Sequence, residues 1–480
     1  MTNLSRRSLL EGAAAAAALG AAGPALAAGR RPNILFLFCD QLRAMSLSLY
    51  GESNIRTPVF DELLRSGTHF TKAYAADPVC APSRASVLTG LYPTAHGVAE
   101  NGDRLAVELP SMADKLGAAG YRTGYIGKWH LDNNEKPGFV PPKRRHGFRW
   151  WRAYNSGHHW RRSVFFADDD DTPRRPSPPD RFEPAYQVDH ALEFMKGGGD
   201  KPWFLMMSFG PPHPPGTTPI ADWAKDLPDG ILDRVDADRL RFPPNVPEWI
   251  QKANRGKNGK GDADPGARHH MHGYYASILA LEDEVGRLLE GLRGMGLAKD
   301  TLIVLSADHG EMGGSHGHYK KGQPYEEALR VPLGFTWPGV VGRRAIEAPV
   351  SGVDIAPTLI GLIDGPGMKK HGLDLTPTLL TGREPDRPSV LSSSNLGKRD
   401  QWFALRGPRY TYVEQGLGSD KRVILWDNTD DPGQEQNLAS DKSVRGIRNR
   451  MAIRMKQERK RTRAAGPDPT DNDASSRKKK

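Results

Sequence analysis

Cysteine is scarce in this chain, with Cys39 and Cys80 as the only two in 480 residues. Two cysteines can close one bridge at most, which excludes a disulfide-rich scaffold. The fold must therefore depend on a hydrophobic core. The chain has ample material for one, because 38% of its residues are hydrophobic and 26% are charged. This balance is typical of a globular protein and excludes an intrinsically disordered one.

The sequence also lacks a uniform hydrophobic run that could span a membrane. The Ala- and Gly-rich stretch that follows Arg6 and Arg7 is only weakly apolar and is broken by Pro24. Paired arginines, a mildly apolar run and small residues ending at Ala27 are together typical of a cleaved export signal. We predict that residues 1–28 are a Tat-type signal peptide. This implies export by the Tat translocase to the periplasm or beyond, without stable membrane insertion.

Excess basic charge is missing from the body of the chain. The net charge is +10, but residues 451–480 carry +6 of it and the first 27 residues carry +1, which leaves +3 for the rest. Because no basic stripe is interleaved with aromatic residues, no nucleic-acid partner is expected. Residues 462–480 lack apolar anchors, and we predict that they form a disordered basic tail.

What the chain does contain is a series of apolar runs that lead into reactive residues. Four strong runs and a weaker fifth occupy residues 33–38, 122–127, 203–209, 301–306 and 330–337. Helical patterns such as residues 274–297 lie between them. This alternation predicts an α/β fold with a large, mostly parallel or mixed sheet flanked by helices. Ligands bind beyond the carboxyl ends of such strands, so the polar residues that follow these runs should meet at one edge.

The pattern changes near residue 385. Beyond it, short strand-like segments predict a small C-terminal antiparallel sheet with a helix. We therefore predict a catalytic α/β domain over residues 30–384 and an α+β subdomain over residues 385–461. The aromatic and charged insertion at residues 134–185 fits either an irregular surface loop or a wall of the substrate site.

Two of the runs end in candidate metal ligands. Asp40-Gln41 follows the first run, and Asp308-His309 follows the fourth. Two carboxylates, an amide oxygen and an imidazole form a mainly hard-oxygen set that suits a divalent cation. A single aspartate at a strand end is more often a helix N-cap, so this prediction depends on the combination.

Cys80 lies in the stretch PVCAPSRASVLTG, residues 78–90. Pro82 fits the first turn of a helix, where its missing N–H has no helical partner. Arg84 lies one turn beyond Cys80, and the helix N-terminus favours negative charge beside it. The cysteine is then either a low-pKa thiolate or a carrier of modified chemistry. A buried apolar cysteine in a turn fits the same residues.

The segment CAPSR at residues 80–84, with LTG at residues 88–90, resembles the signature of the type I sulfatases. These formylglycine-dependent enzymes belong to the alkaline phosphatase superfamily. Further blocks follow in family order: NILFLFCDQ, GYIGKWH, PPHPP, SADHGEMGGSHGHYKKG and YEEALRVPLGF. The resemblance covers roughly residues 30–440. It implies an alkaline phosphatase-like fold and hydrolysis of a sulfate ester to an alcohol and inorganic sulfate.

In that family a formylglycine-generating system oxidises the signature cysteine, so the resemblance implies an aldehyde at position 80. One hydroxyl of the hydrated aldehyde attacks the sulfur and the alcohol leaves. The second hydroxyl then loses its proton, inorganic sulfate is expelled, and the aldehyde is regenerated. A thiol cannot perform this last step. The resemblance assigns the catalytic residues as Cys80, Arg84, Lys128, His130, His213 and Lys321.

The resemblance also implies individual roles. Arg84 and Lys128 hold the diol and the sulfate charge, and His130 is the base for the second hydroxyl. His213 and Lys321 flank the leaving oxygen as sulfate ligands and proton donors. A divalent cation polarises the diol and sulfate oxygens. Its implied ligands are Asp40, Gln41, Cys80, Asp308 and His309.

Two of these positions depart from the family pattern. Gln41 stands where a second aspartate is common, and His309 stands where an asparagine is common. The glutamine removes a carboxylate charge that would oppose the cation, and the imidazole nitrogen of His309 is softer than an amide oxygen. Ca²⁺ remains the expected cation, with Mn²⁺ or another transition ion more plausible than usual. The same pairs occur in related phosphonate and phosphate ester hydrolases, which are one alternative function. A catalytically silent protein that binds sulfated glycans is another.

Several smaller expectations complete the sequence analysis. No Cys39–Cys80 disulfide should form, because position 80 is no longer a thiol after conversion. Lys320 precedes Lys321, so a one-residue slip would exchange the two lysines. Glu327 should form a structural ion pair with Arg330. The substrate is expected to be a sulfated small molecule or a sulfated glycan. Its ring or a second anion could contact the cluster Trp150, Trp151, His158, His159, Trp160 and Arg161.

Overall fold

The computed structural model describes residues 31–463 except 134, 177–180, 198, 216–222, 252–253, 258–262, 265 and 369. The predicted signal peptide and residues 464–480 of the predicted tail lie outside the described residues. Among the helices described, none combines the length and apolar character that a membrane crossing requires.

The strands lie along the whole described chain. They are β1 (Asn33–Asp40), β2 (Thr68–Phe70), β3 (Ala73–Tyr74), β4 (Arg122–Lys128), β5 (Trp150–Tyr154), β6 (Phe165–Ala167), β7 (Asp170–Arg174), β8 (Trp203–Pro212), β9 (Asn254–Lys257), β10 (Ala263–Asp264), β11 (Thr301–Ala307), β12 (Arg330–Val331), β13 (Leu333–Thr336), β14 (Arg344–Ile346), β15 (Val350–Ser351), β16 (Val390–Ser394), β17 (Trp402–Arg406), β18 (Tyr410–Gln415) and β19 (Arg422–Asp427).

Helices connect most of these strands. They are α1 (Pro58–Arg65), α2 (Cys80–Thr89), α3 (Pro93–His96), α4 (Met112–Ala118), α5 (Glu183–Lys196), α6 (Trp223–Asp226), α7 (Glu248–Gln251), α8 (Gly266–Gly294), α9 (Glu326–Leu329), α10 (Ile355–Leu362), α11 (Thr376–Thr381) and α12 (Arg445–Arg461).

The main sheet has the order β14-β2-β13-β11-β1-β8-β4-β5-β6-β7. Its centre is parallel, because β1 pairs in parallel with β11 and β8, and β4 pairs in parallel with β8 and β5. Strands β13, β6 and β7 join antiparallel towards the two edges. The carboxyl ends of β1, β4, β8 and β11 therefore lie along the same edge of the sheet.

The central strands are buried on both faces. Residues 34–39 of β1 are fully inaccessible, as a continuous apolar run in a parallel sheet predicts. Helices α5 and α8 pack against β8, and α4 packs against β4. The predicted large mixed sheet flanked by helices is confirmed.

A separate antiparallel sheet follows, with the order β16-β17-β18-β19, and α12 packs against β17 and β18. This sheet is the small C-terminal unit that the sequence predicts. Its first strand also bonds to the segment just before Cys80. Ser392 Oγ donates to Ala75 O at 2.6 Å, and Ser394 Oγ donates to Asp77 Oδ1 at 3.0 Å. The C-terminal sheet therefore braces the chain that leads into α2.

The fifth apolar run, residues 330–337, is not the single strand predicted. Pro332 divides it, because proline lacks the N–H that a continuous ladder needs. β12 pairs with β3 in a small sheet, and β13 pairs antiparallel with β11 in the main sheet. The polar residues near this run thus approach the site from a loop and not from a strand end.

Candidate active site

Cys80 begins helix α2, and all 10 residues of that helix are buried. Val79 before it is extended, and Ser83 N–H donates to Val79 O at 3.0 Å, which closes the first turn. Pro82 is tolerated in this turn because the first N–H groups of a helix have no helical acceptor. The Cys80 side chain is only 1% exposed. It therefore lies at the positive end of a buried helix.

Two aspartates reach this point from neighbouring parallel strands. Asp40 ends β1, and Asp308 follows β11. Arg84 bridges them from the second turn of α2. Its Nε and Nη2 lie 3.0 and 2.9 Å from Asp308 Oδ2, and its Nη2 lies 3.4 Å from Asp40 Oδ2. The buried guanidinium thus places one positive charge between the two carboxylates.

Lys128 ends β4, and its Nζ lies 2.5 Å from Asp40 Oδ2. Gly127 permits the close approach of β4 to β8, since a Cβ at this position (φ +98°) would lie 2.0 Å from Ser208 O. Ser208 Oγ accepts from Arg84 Nη1 at 2.7 Å and donates to Lys128 O at 2.8 Å. Ser208, which the sequence analysis did not single out, therefore ties the arginine to the strand that carries the lysine.

Gln41 adopts a left-handed backbone conformation (φ 68°), which is uncommon outside glycine. Its N–H donates to Asp308 Oδ1 at 2.9 Å, and its side-chain Nε2 donates to Glu311 Oε2. The second bond orients the amide so that Oε1 accepts from Lys321 Nζ at 2.8 Å. Burial acts to raise the pKa of Glu311, but His270 and the backbone N–H groups of Gly313 and Lys320 together outweigh it and lower that pKa to about 2. Only its place in the DHGEM block pointed to Glu311.

His309 offers a nitrogen to the same centre. Its Nδ1 lies 3.0 Å from Gly310 O, so a proton on Nδ1 leaves Nε2 with a free lone pair. Nε2 lies 3.3 Å from Cys80 Sγ. One ligand atom from each of four buried residues falls within 4.8 Å of the others, and these residues are Asp40, Cys80, Asp308 and His309. The chemistry of this set fits a divalent cation.

The two aspartates differ in electrostatic environment. Burial acts to raise the pKa of Asp40, but Lys128, His213 and Arg84 outweigh it and hold that pKa well below its usual value. At Asp308, burial and the nearby charge of Asp40 prevail and raise the pKa. A bound cation would favour the ionised form of both carboxylates.

Lys321, and not Lys320, faces the centre. Its Nζ lies 3.0 Å from Cys80 Sγ. Lys320 is exposed, and its backbone N–H donates to Glu311 Oε1 at 2.7 Å. The Glu311 carboxylate therefore holds the loop that delivers Lys321 as well as the amide of Gln41.

Position 80 is strongly electropositive. Burial and Asp40 act to raise the pKa of the Cys80 thiol, but Lys128, Lys321 and His309 outweigh them and hold it well below its usual value. Lys128 Nζ lies 3.7 Å from Cys80 Sγ. The surroundings thus stabilise an anionic group at this position. Cys39 and Cys80 are both free and buried.

His130 sits beside the cysteine in a second left-handed conformation, with φ 59°. Its N–H donates to Asn155 O at 2.6 Å, and its Nδ1 has no partner within the part of the chain described. Burial and then Lys128 lower the pKa of His130 to about 4, although a hydrogen bond with Cys80 opposes this. The ring is therefore neutral near pH 7 and can accept a proton.

His213 follows the end of β8. Its Nδ1 lies 2.8 Å from Pro214 O, which leaves Nε2 for a ligand. Its ring stacks on His158, with 3.7 Å between centroids and 10° between planes. Burial, followed by the charge of Lys321, lowers the pKa of His213 well below its usual value. The structure thus gathers all ten predicted site residues, namely Asp40, Gln41, Cys80, Arg84, Lys128, His130, His213, Asp308, His309 and Lys321.

Behind this centre lies Glu183, which the sequence analysis missed. It is fully buried at the start of α5. Its carboxyl accepts from Tyr154 OH at 2.9 Å, from Gln187 Nε2 at 2.7 Å and from Ser163 Oγ. Burial outweighs these hydrogen bonds and raises the pKa of Glu183 to about 7. No local pattern marks this residue, because its partners come from distant segments.

Comparison with known proteins identifies the family of this chain. Residues 32–365 match the family model described as Sulfatase. The chain belongs to the sulfatase family. Sulfatases hydrolyse sulfate esters, and this chain is therefore a sulfuric ester hydrolase by family.

Two curated relatives extend the match over most of the chain. An ulvan-active sulfatase of Formosa agariphila is 29% identical over 449 residues, covering 89% of this chain and 81% of the relative. An endo-4-O-sulfatase of Bacteroides thetaiotaomicron is 26% identical over 471 residues, covering 86% and 89%. The sulfatase similarity therefore includes the C-terminal sheet.

Solved structures share the fold. The yidJ protein of Bacteroides fragilis superposes with a TM-score of 0.78 at 27% identity, covering 91% of this chain and 97% of that one. A protein solved with its substrate D-glucosamine-2-N,6-O-disulfate gives a TM-score of 0.75 at 21% identity, covering 92% and 100%. A phosphonate monoester hydrolase of Agrobacterium radiobacter gives 0.69 at 22% identity, covering 90% and 96%.

One expectation about the surroundings of the sulfatase centre is wrong in part, and a second is wrong. Trp151 and Trp160 are fully buried core residues and cannot stack on a substrate ring, whereas His158 contacts the site through His213. Glu327 and Arg330 do not pair with each other. Glu327 Oε1 accepts from an asparagine amide at 2.7 Å, and Arg330 Nε donates to a backbone carbonyl at 2.8 Å.

Proposed function

We propose that this sulfatase hydrolyses a sulfate ester to an alcohol and inorganic sulfate with a formylglycine derived from Cys80 and a divalent cation. The observation that carries the proposal is the convergence of acidic, basic and imidazole groups on one buried cysteine. Ligand atoms of Asp40, Asp308 and His309 lie within 4.8 Å of one another and of the Cys80 sulfur, and Lys321 Nζ is 3.0 Å from that sulfur.

The residues present fit both groups. As formylglycine, position 80 would supply a hydrated aldehyde whose hydroxyl oxygen attacks the sulfur of the ester. The cation, held by Asp40, Gln41, Asp308, His309 and the residue at position 80, would supply Lewis acidity towards oxygen. We propose Ca²⁺, with Mn²⁺ as the alternative that the imidazole of His309 favours.

The basic residues hold and neutralise charge. Lys128 and Lys321 approach position 80 at 3.7 and 3.0 Å, so they are placed to bind sulfate oxygens. Arg84 is held by Asp308 and Ser208, so its positive charge stays fixed during the reaction. Preorganised charges of this kind stabilise the transition state because they need not reorient.

The two histidines move protons. His130 is neutral near pH 7 because its pKa is lowered to about 4, and it can accept the proton of the second hydroxyl at position 80. His213 retains Nε2 for the leaving oxygen, since its Nδ1 bonds to Pro214. Lys321 lies on the same side as a charged proton donor, and an incoming sulfate would raise the pKa of His213.

The natural substrate is proposed to be a sulfated glycan. The Formosa relative is named as active on ulvan and the Bacteroides relative as an endo-4-O-sulfatase, and both resemble this chain over most of its length. We further propose that a formylglycine-generating system modifies Cys80, and that residues 1–28 direct the protein through the Tat translocase to the periplasm or beyond. Residues 30–384 would form the catalytic domain and residues 385–461 the smaller subdomain.

Mass spectrometry of the peptide that spans residue 80, from protein made in its native host, tests the modification. We expect an aldehyde or its hydrate at Cys80. Initial rates on 4-nitrophenyl sulfate, a phosphonate monoester and a phosphate ester then test the reaction, with Cys80→Ala as the inactive control. Turnover of phosphorus esters alone would favour a phosphonate or phosphate ester hydrolase. An intact thiol without turnover would favour a glycan-binding protein.

A further inference from the structure

A cavity of about 230 Å³ opens beside the catalytic centre and takes no part in the mechanism above. Its lining includes Lys136, Pro137, Tyr154, His158, Arg162 and Glu183. We call it the anion pocket. Most of it comes from the insertion between β4 and α5, and not from the strand ends that build the centre.

The anion pocket adjoins the catalytic residues through three connections. His158 lines the pocket and stacks on His213 at 3.7 Å. Tyr154, another lining residue, is the register partner of Lys128 across β4 and β5. Ser156 in the lining directly follows Asn155, whose carbonyl accepts from His130 N–H. A group attached to the leaving oxygen would therefore enter the pocket across the His158 ring.

The charges on the anion pocket are unbalanced. Among the described residues, Lys136 and Arg162 make no hydrogen bond or ion pair, and both are exposed. The neighbouring Arg161 differs, because its Nη1 lies 3.0 Å from Asp229 Oδ1. Lys136 and Arg162 thus place two uncompensated cations beside one small cavity.

The acidic groups nearby do not cancel these cations. Glu183 is turned into the wall by bonds from Tyr154, Gln187 and Ser163, and burial raises its pKa to about 7. Asp226 lies 3.8 Å from the Nδ1 of His159, which faces it from the rim. The pocket therefore retains net positive charge near pH 7.

We propose that the anion pocket binds a second acidic group of the substrate, so that this enzyme acts on a glycan that carries a carboxylate or another sulfate near the scissile ester. The proposal rests on the proposed sulfatase function and adds the substrate class. Arginine binds carboxylate and sulfate oxygens through paired N–H donors, and lysine adds a point charge. The cavity is smaller than the ~300–1,000 Å³ typical of pockets for drug-sized ligands, and this size suits one substituted ring.

Paired glycan substrates test the proposal. Oligosaccharides from a sulfated, uronic-acid-containing glycan would be compared with the same oligosaccharides after carboxyl reduction and with 4-nitrophenyl sulfate. We expect Arg162→Gln and Lys136→Gln each to lower kcat/KM on the acidic oligosaccharides by about tenfold, as for loss of a charge-assisted hydrogen bond. Activity on 4-nitrophenyl sulfate should stay within twofold. Arg174→Gln removes the same charge from an exposed arginine outside the pocket lining, where Arg174 pairs with Asp170 at 2.8 Å, and it should leave both activities unchanged.

Two arms identify the source of the anion. If carboxyl reduction of the substrate removes the difference between wild type and Arg162→Gln, the second group is a carboxylate. If the difference survives reduction but is lost on monosulfated oligosaccharides, it is a sulfate. Equal effects of Arg162→Gln on every substrate, or no effect on any, would overturn the proposal. A wild-type enzyme inactive even on 4-nitrophenyl sulfate would contradict the proposed function instead.

Binding to Cys80→Ala protein tests the anion pocket without turnover. Calorimetry should show that the acidic oligosaccharides bind this variant about tenfold more tightly than the Cys80→Ala/Arg162→Gln double variant. Equal affinities, or no measurable binding to either protein, would count against the pocket. This measurement therefore remains decisive whichever reaction the enzyme performs.

Discussion

The catalytic centre and the anion pocket are neighbours built in opposite ways. The centre is assembled from strand ends and a buried helix, and Arg84, Lys128 and Asp308 are at most 2% exposed. The anion pocket is lined mostly by loop residues, and its exposed cations Lys136 and Arg162 have no partner among the residues that the structure describes. Fixed charges in a dry site suit a reaction that all substrates share, whereas exposed charges on loops suit recognition of one substrate. The reaction is thus assigned to the buried centre, and the proposed substrate specificity to the anion pocket.

Among the changes considered, removal of the buried arginine should lower the free energy of unfolding the most. Arg84→Met leaves Asp40 and Asp308 without a shared counter-charge, so the metal-free protein should lose roughly 3–5 kcal/mol in its free energy of unfolding. Urea unfolding gives the value. Arg409→Met is the control, because Arg409 pairs with Asp427 but is 49% exposed, and its loss in the free energy of unfolding should be far smaller. Similar losses in both variants would refute the contrast between buried and exposed charge.

Glu183, at the junction of the two regions, should make stability depend on pH. Its pKa is raised from 4.5 to about 7 in the folded protein, so between these values the folded state binds more protons than the unfolded state. The free energy of unfolding therefore falls as pH rises through this window, by about 3 kcal/mol in total. Glu183→Gln should flatten the decline in urea unfolding from pH 5 to 8. Part of the slope should persist, because Glu282 also has its pKa raised to about 7 by burial. Unchanged slopes would show that Glu183 is ionised throughout.

Removing a side chain that orients a proposed metal ligand should have a smaller effect, which is a loss of Ca²⁺ affinity. Glu311→Gln removes the carboxylate that orients the amide of Gln41, and such outer contacts typically account for about 10–100-fold in metal affinity. Calorimetry with Ca²⁺ measures the loss. Glu327→Gln alters a buried glutamate that binds Asn245 instead, and its Ca²⁺ affinity should match wild type. A Glu311→Gln protein with unaltered affinity would mean that Gln41 is not a ligand.

The sequence was informative where function follows from strand order. Asp40, Lys128 and Asp308 each follow an apolar run, and these runs form parallel strands. The carboxyl ends of parallel strands lie at one edge of a sheet, so the three side chains lie close together there. The two regular sheets were likewise predictable from alternation and from turn-rich segments. The division of the fifth run was readable in retrospect from Pro332, which cannot donate to a ladder.

Other parts depended on contacts that no local pattern encodes. Ser208 and Glu311 matter because distant segments fold against them, and although Glu311 lies in the DHGEM block, no local pattern shows that it orients Gln41. The insertion at residues 134–185 led to a wrong prediction, because its tryptophans resemble a surface that stacks on a substrate ring. Trp151 packs on Tyr125 with 5.2 Å between ring centroids and belongs to the core. Arg162, which has no partner among the described residues, has the same residue type as its neighbour Arg161, which pairs with Asp229.

The burial of Cys80 restricts when its chemistry can be changed. With 1% of its surface accessible at the start of an enclosed helix, the thiol offers no room for a second protein to approach. Any oxidising catalyst must therefore reach residues 78–90 while the chain is still open, during or soon after synthesis. If the protein is made in a host without that catalyst and then refolded, Cys80 should stay a thiol even when folding is complete.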